Sequence, residues 1–193
     1  PHCHRCGTKL MYRAHPSWFM DIQSQKDEML AATKETNWSP SNLKDGRFMN
    51  IIETAPDWNL SRDRYWATPI PVWECGRCDR REVFGAVAEL EQKAGRPLPD
   101  IHKEFLDALK YPCECGGEMT RVPEVLDGWF ESGSMPYGQF HYPFENHEHF
   151  QSHFPGGFIV EYPPQIRGWF CVMHVLATAL FDKPAFLNCL VHG

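Results

Sequence analysis

The sequence lacks several features that would assign it to a common class of protein. No stretch approaches the roughly 18 consecutive apolar residues that a membrane span needs, and the first residues, PHCHRCGTKL, contain no apolar run of a secretory signal. There is no basic excess either, because 19 Lys and Arg stand against 25 Asp and Glu, for a formal net charge of −6. This charge argues against a sequence-independent phosphate binder. We therefore expect a soluble, cytoplasmic chain without a membrane partner.

The pattern of apolar residues predicts one α/β core with a small insert. At 193 residues the chain is long enough for one core and too short for two large domains, and it contains no repeats or low-complexity tracts. A short apolar strand, a long helix and a second apolar strand follow one another near the end, which is typical of a parallel crossover unit. Cys171 and Cys189 lie in these apolar segments and are predicted to be core residues. The predicted strands span residues 10–20, 157–162 and 185–193, and the predicted helices span residues 21–35, 46–54, 86–94, 99–110 and 165–181.

Six of the eight cysteines fall in three close pairs, and this spacing indicates metal binding. A tight turn that holds two thiolates two or three residues apart directs both at one Zn²⁺ ion, which prefers four such ligands in a tetrahedron. Cys75 and Cys78 form one pair, and Cys113 and Cys115 form another. We predict that these four residues bind zinc within an insert. Four buried structural thiols are the competing interpretation.

A third pair, Cys3 and Cys6, has the same pattern without a visible second pair. Three interpretations are open: His2 or His4 completes a site, the partner pair lies outside the given sequence, or the thiols are free. Because His4 lies between the two cysteines, we expect its side chain to point away from an ion that they share. We favour a missing partner pair and treat Cys3 and Cys6 as a second candidate metal site.

Five stretches of the chain resemble one enzyme family, and they occur in that family's order. They are CHRCGTKLMYRAHPSWF, DWNLSRDRYWATPIPVWEC, CECGG, DGWFESGSMPYGQF and QIRGWFCVMHVLATALFDKPAFLNCLVHG. Through these stretches, which span nearly the whole chain, the sequence resembles the catalytic region of class I aminoacyl-tRNA synthetases. SRDRYWATPIPVW favours the isoleucyl-tRNA synthetase family within that class. The valyl and leucyl families, and a non-catalytic zinc-ribbon module that binds RNA or protein, stay open as alternatives.

The resemblance implies a fold and a place within it. It implies part of a Rossmann-like nucleotide-binding domain with a zinc-ribbon-like insert. Residues 1–74 would follow the family's editing domain and lead into the catalytic core, residues 75–117 would form the insert, and residues 118–193 would form the second half of the catalytic domain. The family's HIGH and KMSKS motifs are absent, so the chain alone is expected to be inactive. In the family, the partners of Cys3 and Cys6 lie beyond the editing domain.

The resemblance also implies substrates and the residues that contact them. The family uses ATP with Mg²⁺ to activate isoleucine and transfers the acyl group to tRNA(Ile), and we expect a monomer. Trp129 and Trp169 match the two tryptophans that contact the aliphatic side chain; two ordinary core tryptophans are the competing interpretation. Gln165 matches the donor to the substrate carboxylate, and Glu161 matches an acceptor near the adenylate. No residue is expected to act as a catalytic acid or base. Pro164 stands where the family has an aspartate that reaches the ribose, which proline cannot do.

Two further groups of polar residues have no role in the metal or substrate predictions. Arg62 and Arg64 are predicted to anchor the junction with the insert to carboxylates, and direct contact with the tRNA acceptor end is the alternative. The histidines of HYPFENHEHFQSHF are irregularly spaced. They are therefore predicted to be solvated residues of a polar loop and not metal ligands.

Overall fold

The computed structural model describes residues 1–193, which form eleven short strands and eight α-helices. The strands are β1 Phe19–Met20, β2 Asn37–Ser39, β3 Trp58–Asn59, β4 Ser61–Arg62, β5 Val72–Cys75, β6 Arg81–Val83, β7 Tyr111–Pro112, β8 Glu118–Arg121, β9 Val125–Leu126, β10 Ile159–Glu161 and β11 Asn188–Val191. The helices are α1 Lys26–Lys34, α2 Met49–Thr54, α3 Val87–Ala94, α4 Lys103–Asp107, α5 Gly128–Gly133, α6 Met135–Gly138, α7 His147–His153 and α8 Trp169–Phe181. A π-helical turn at Lys44–Phe48 leads into α2, and a 3₁₀ turn at Pro163–Ile166 precedes α8.

The predicted crossover unit is confirmed. Strand β10, helix α8 and strand β11 follow one another, and β10 pairs with β11 in parallel register, Val160 opposite Leu190. Strand β2 pairs with the other edge of β11, also in parallel. The chain is therefore a mixed α/β protein, in agreement with the predicted class. Helix α8 provides the long connection that this pairing needs, because two parallel neighbours cannot be joined by a tight turn.

Helix α8 lies in the main hydrophobic core, which explains its apolar sequence. Its residues Phe170, Met173 and Ala177 are at most 1% exposed. They pack with buried side chains from the first third of the chain and from β11, including Met29, Trp38, Phe48, Ile52, Phe186, Cys189 and Val191. No helix in the chain combines the length and the apolar character that crossing a membrane requires.

The cysteine-rich insert has a sheet and a core of its own. Its four antiparallel strands lie in the order β6-β5-β8-β7. Helices α3 and α4 cover a second core, formed by Trp73, Leu90, Leu98, Leu106, Leu109, Tyr111 and Met119 with two cysteines. This core begins before residue 75 and ends after residue 117. The division at 1–74, 75–117 and 118–193 stays a prediction.

Three local predictions were wrong. Of the predicted strand 10–20, only β1 is paired; Met11 and Tyr12 are 89% and 97% exposed, because the residues before β1 have no partner strand. The predicted helix 99–110 is shortened to α4, since Asp100 accepts a hydrogen bond from the amide of His102 in a turn. The predicted polar loop contains α7, which forms because Phe150 is buried against other aromatic rings.

Candidate functional site

Four cysteine thiols converge at one end of the insert's sheet. All four sulfur atoms lie within 4.8 Å of one another. The Sγ atoms of Cys75 and Cys115 are 3.5 Å apart, and those of Cys78 and Cys113 are 3.8 Å apart. A Zn–S distance of about 2.3 Å gives a tetrahedron with an edge of about 3.8 Å. The cluster therefore has the ligand type and the spacing that fit one tetrahedral metal ion.

Backbone contacts hold the two cysteine turns in place. Gly117 is needed for close approach, because a Cβ at this position would lie 2.8 Å from Sγ of Cys75. The carbonyl of Gly117 accepts a hydrogen bond from the amide of Cys113 at 2.8 Å. In the other turn, the amide of Arg77 donates to Sγ of Cys75 at 3.3 Å. This hydrogen bond is the largest of several that together lower the pKa of the Cys75 thiol to about 6, although burial acts in the opposite direction. One sulfur is thus a thiolate near neutral pH, which is the form that binds metals.

Cys3 and Cys6 form a separate turn without further ligands. The amide of Cys3 donates to the carbonyl of Thr8 at 2.8 Å, which closes the turn. Across the 193 residues, the four-cysteine cluster is the only group of three or more side chains arranged to hold a metal ion. In this structure neither His2 nor His4 lies in such a group with the pair. A second metal site at Cys3 and Cys6 stays a prediction.

The two remaining cysteines belong to the main core, as predicted. Cys189 is 2% exposed within it, and Cys171 packs against it from α8. Burial raises the pKa of Cys171 to about 11 and that of Cys189 to about 12. Both groups are therefore thiols at neutral pH, in agreement with a packing role.

Helix α5 carries Trp129 on its first turn. Asp127 caps this helix, and its Oδ1 accepts a hydrogen bond from the amide of Trp129 at 3.3 Å. The indole of Trp129 is 45% exposed and stands between two clefts with volumes of about 870 and 460 Å³. Arg62 lines both clefts beside it.

Gln165 and Trp169 lie where α8 begins. Oε1 of Gln165 accepts a hydrogen bond from the amide of Trp169 at 2.9 Å, and Nε2 of Gln165 donates to no atom of the chain. Nε1 of Trp169 donates to the carbonyl of Ser132 in α5 at 3.0 Å. The Trp169 ring lines a third cavity of about 260 Å³. Both predicted indoles are thus held by α5 and α8, and they line different cavities.

Gly168 brings the residues of this site into close contact. A Cβ on Gly168 would lie 2.7 Å from Oε1 of Gln165 and 3.3 Å from the ring of Trp129. Only glycine leaves both side chains where they are. These distances bring three groups into contact: the edge of the Trp129 ring, the amide of Gln165 and the first residue of α8.

Glu161 is half buried at the end of β10, and its contacts are local. Its Oε2 accepts a hydrogen bond from the amide of Tyr162 at 3.1 Å. Pro164 is exposed in the 3₁₀ turn that follows. The structure thus brings Glu161 to the end of the strand that precedes Gln165, in the same connection between β10 and α8.

A polar network around Asp127 was not predicted from the sequence. Its Oδ2 accepts hydrogen bonds from Nη2 of Arg62 at 2.6 Å and from Nε1 of Trp58 at 3.1 Å. The expectation that Arg62 binds a carboxylate is confirmed, whereas Arg64 makes no ion pair and that part of the expectation was wrong. The available signal was an aspartate immediately before Gly-Trp, a residue type that often caps helices.

Comparison with known proteins assigns the chain to a family and relates it to named enzymes. Residues 8–193 match the family model of class I tRNA synthetases (I, L, M and V). Over its whole length the chain is 52% identical to an isoleucine–tRNA ligase of Treponema denticola, 50% identical to one of Treponema pallidum and 48% identical to one of Rickettsia akari. It spans only 18% of the length of each of these relatives.

A solved structure supports the fold. The crystal structure of an Agrobacterium radiobacter K84 LeuRS in a ternary complex with tRNA and LeuAMS matches with a TM-score of 0.51 and 18% identity, covering 79% of this chain and 22% of that chain. At this identity the likeness concerns the fold alone. Together with the family model, which covers all but the first seven residues, these findings show that the chain belongs to the class I tRNA synthetase family (I, L, M and V).

Proposed function

We propose that the chain is a segment of an isoleucine–tRNA ligase and that it helps to form the amino-acid site. The observation that carries this proposal is an identity of 48–52% along the entire chain to three enzymes with that name. In this reaction the carboxylate of isoleucine attacks the α-phosphate of ATP, bound with Mg²⁺, and pyrophosphate leaves. The acyl group of the resulting adenylate then passes to tRNA(Ile), and AMP is released. The proposal includes a cytoplasmic monomer.

Four residues are proposed to contact the amino acid or its adenylate. The rings of Trp129 and Trp169 line different cavities. The proposal therefore places the aliphatic side chain between them, with each indole forming one rigid apolar wall. Nε2 of Gln165 has no partner within the chain, so it is free to donate to the carboxylate of the substrate. Glu161, at the end of β10, would accept a hydrogen bond from the adenylate. Positioning by such groups, without a protein acid or base, suits a reaction between two bound substrates.

Specificity for isoleucine over valine depends on one methylene. In an apolar pocket this group is worth about 1–3 kcal/mol, a range for which isoleucine-specific synthetases are themselves a standard example. Because this difference in binding free energy is small, discrimination depends on the exact position of each indole. A displaced indole would therefore reduce discrimination as well as affinity.

A chimera tests the proposed activity. The segment of the Treponema denticola ligase that aligns with this chain over 194 residues is replaced with the chain, and amino-acid-dependent exchange of pyrophosphate with ATP is measured. We expect exchange with isoleucine and much weaker exchange with valine or leucine. The control is the same chimera carrying Trp129→Ala, which should lose affinity for isoleucine. Equal exchange with valine or leucine, or none with any amino acid while the Treponema parent is active, would refute the assignment.

We further propose that the four-cysteine cluster binds Zn²⁺ and thereby stabilises the insert. Four thiolates in a tetrahedron are typical of structural zinc sites, which keep no position open for substrate. The ion would therefore hold Cys75 and Cys78 against Cys113 and Cys115 and take no part in the reaction. Metal analysis of the purified chain should give one zinc per molecule. A content well below one, after purification without chelators, would contradict the proposal.

A further inference from the structure

Helix α5 determines the position of both proposed substrate-binding indoles. Trp129 is the second residue of this helix, and the carbonyl of Ser132 near its end holds Nε1 of Trp169 at 3.0 Å. Gly133 lets α5 lie directly against α8, since a Cβ there would be 3.0 Å from Cδ1 of Leu176. Whatever fixes the start of α5 therefore also fixes the two rings.

The start of α5 is fixed by a buried carboxylate. Asp127 is 7% exposed, and both of its oxygens are used: Oδ1 by the amide of Trp129, and Oδ2 by Arg62 and Trp58. Its own amide donates to the carbonyl of Leu60 at 2.7 Å. A buried carboxylate remains in place only while it is paired. The guanidinium of Arg62 is the cation that pairs it.

The guanidinium of Arg62 is itself held by the backbone. Its Nη1 donates to the carbonyls of Asn59 at 2.8 Å and of Ser61 at 2.9 Å, while Nη2 donates to Asp127 at 2.6 Å. Three of its five N–H groups are used in this way, and they hold the guanidinium against the helix cap. It therefore acts on the site through Asp127.

A second contact from the same segment holds the next turn of α5. The amide of Thr68 donates to Oε1 of Glu131 at 2.8 Å. The segment 58–68 thus contacts α5 at its cap and again four residues later. This arrangement fixes both the direction and the rotation of a helix only six residues long.

We propose that Arg62 is a positioning residue that holds the Trp129 and Trp169 rings in the isoleucine-binding geometry by pairing with the Asp127 cap of α5. This inference rests on the proposed function, because isoleucine is taken as the substrate. Loss of Arg62 leaves Asp127 unpaired, and the cap and the first turn of α5 shift. The ring of Trp129 then leaves the edge of Gly168, and the amino-acid site loses its shape.

The kinetic test uses the chimera described above. We expect Arg62→Ala to raise KM for isoleucine by on the order of tenfold to a hundredfold, the loss that a misplaced positioning group produces, with KM for ATP changed less than twofold. Preference for isoleucine over valine should fall, and Arg62→Lys should recover part of both losses. The control is Arg121→Ala, since Arg121 likewise binds one carboxylate, of Asp107, and two backbone carbonyls, but lies at the end of β8 and outside the Asp127 network. Equal changes in KM for isoleucine and ATP, or the same change in the Arg121 variant, would overturn the proposal.

A second variant separates pairing from folding. Asp127→Asn keeps a side-chain oxygen for the helix cap and removes the charge that needs Arg62. In this background Arg62→Ala should raise KM for isoleucine only slightly further. If the two substitutions raise KM for isoleucine independently, Arg62 does not act through Asp127 and the inference is wrong.

Hydrogen–deuterium exchange of the chimera tests the inference without any activity. In the Arg62→Ala variant, amides of residues 128–133 should exchange about tenfold faster, because a weakened cap lowers the local opening free energy, while amides of residues 173–178 should not change. Unchanged exchange in α5 would overturn the role of Arg62. A chimera without isoleucine-dependent activity but with this exchange pattern would instead contradict the proposed function and leave the positioning role supported.

Discussion

His174 makes the stability of the main core depend on pH. The side chain lies on α8 and is completely buried. Its Nε2 is 2.9 Å from the carbonyl oxygen of Met29 and 3.1 Å from Oγ1 of Thr33. Because a carbonyl only accepts, Nε2 carries the proton, and the buried Nδ1 has no hydrogen-bond partner. A second proton on Nδ1 would create a buried cation without an acceptor.

The size of the effect follows from the shift in pKa. Burial lowers the pKa of His174 from an ordinary value of 6.5 to about 4, although the Met29 carbonyl acts in the opposite direction. Folding therefore favours the neutral ring. The contribution of His174 to the free energy of unfolding is complete above pH 6.5 and is lost as the pH falls towards 4. The full contribution is about 3 kcal/mol, of which about 2 kcal/mol is lost between pH 8 and pH 5.

Urea unfolding of the 193-residue chain at pH 8, 7, 6 and 5 measures this loss. His174→Gln keeps an N–H group that can donate to Met29 but cannot titrate in this range, so its stability should fall by about 2 kcal/mol less than that of the native chain between pH 8 and pH 5. The control is the exposed His153→Gln, which should retain the native pH dependence. If the native chain and His174→Gln lose the same stability between pH 8 and pH 5, the reasoning is refuted.

Three further predictions concern the site, the insert and the core. Gly168→Ala should lower affinity for isoleucine in the chimera by roughly tenfold or more, since the added methyl displaces Gln165 or Trp129; titration with isoleucine checks this, and an unchanged affinity contradicts it. Cys113→Ser should lower zinc content and speed amide exchange in the second core; a variant that retains one zinc with unchanged exchange would show that this thiol is not a ligand. Phe48→Ala should cost about 3–5 kcal/mol in urea unfolding, because Phe48 is 0% exposed; a cost below 1 kcal/mol would mean that the core collapses around the missing ring.

The features that the sequence predicted correctly are those encoded by neighbouring residues. The spacing of Cys75 to Cys78 and of Cys113 to Cys115 predicted a cluster whose sulfur atoms do converge. The apolar run of α8 between two apolar strands predicted the parallel crossover. In both cases the physical cause, a tight turn or a helical period, operates over a few residues.

The features that the sequence did not predict depend on contacts between distant segments. The pairing of Arg62 with Asp127 joins residues 65 positions apart, and nothing local distinguishes this arginine from Arg64. The two indoles were expected to share one hollow, and they line different cavities because α5 turns one ring outwards while Ser132 holds the other. Such orientations arise from the packing of α5 on α8, which residue periodicity does not encode.

The pairing of the two outer connections of the insert affects how its length can change. The chain leaves the rest of the protein along β5 and returns along β8, and these strands are hydrogen-bonded neighbours, with Glu74 opposite Thr120 and Cys75 opposite Met119. Paired Cα atoms in such a ladder are only about 4.5–5.5 Å apart. The points where the chain enters and leaves the insert are thus already held together. A longer insert therefore adds little to the entropic cost of closing the loop. We therefore expect that the insert can be lengthened, shortened or exchanged while β5 and β8 keep their register.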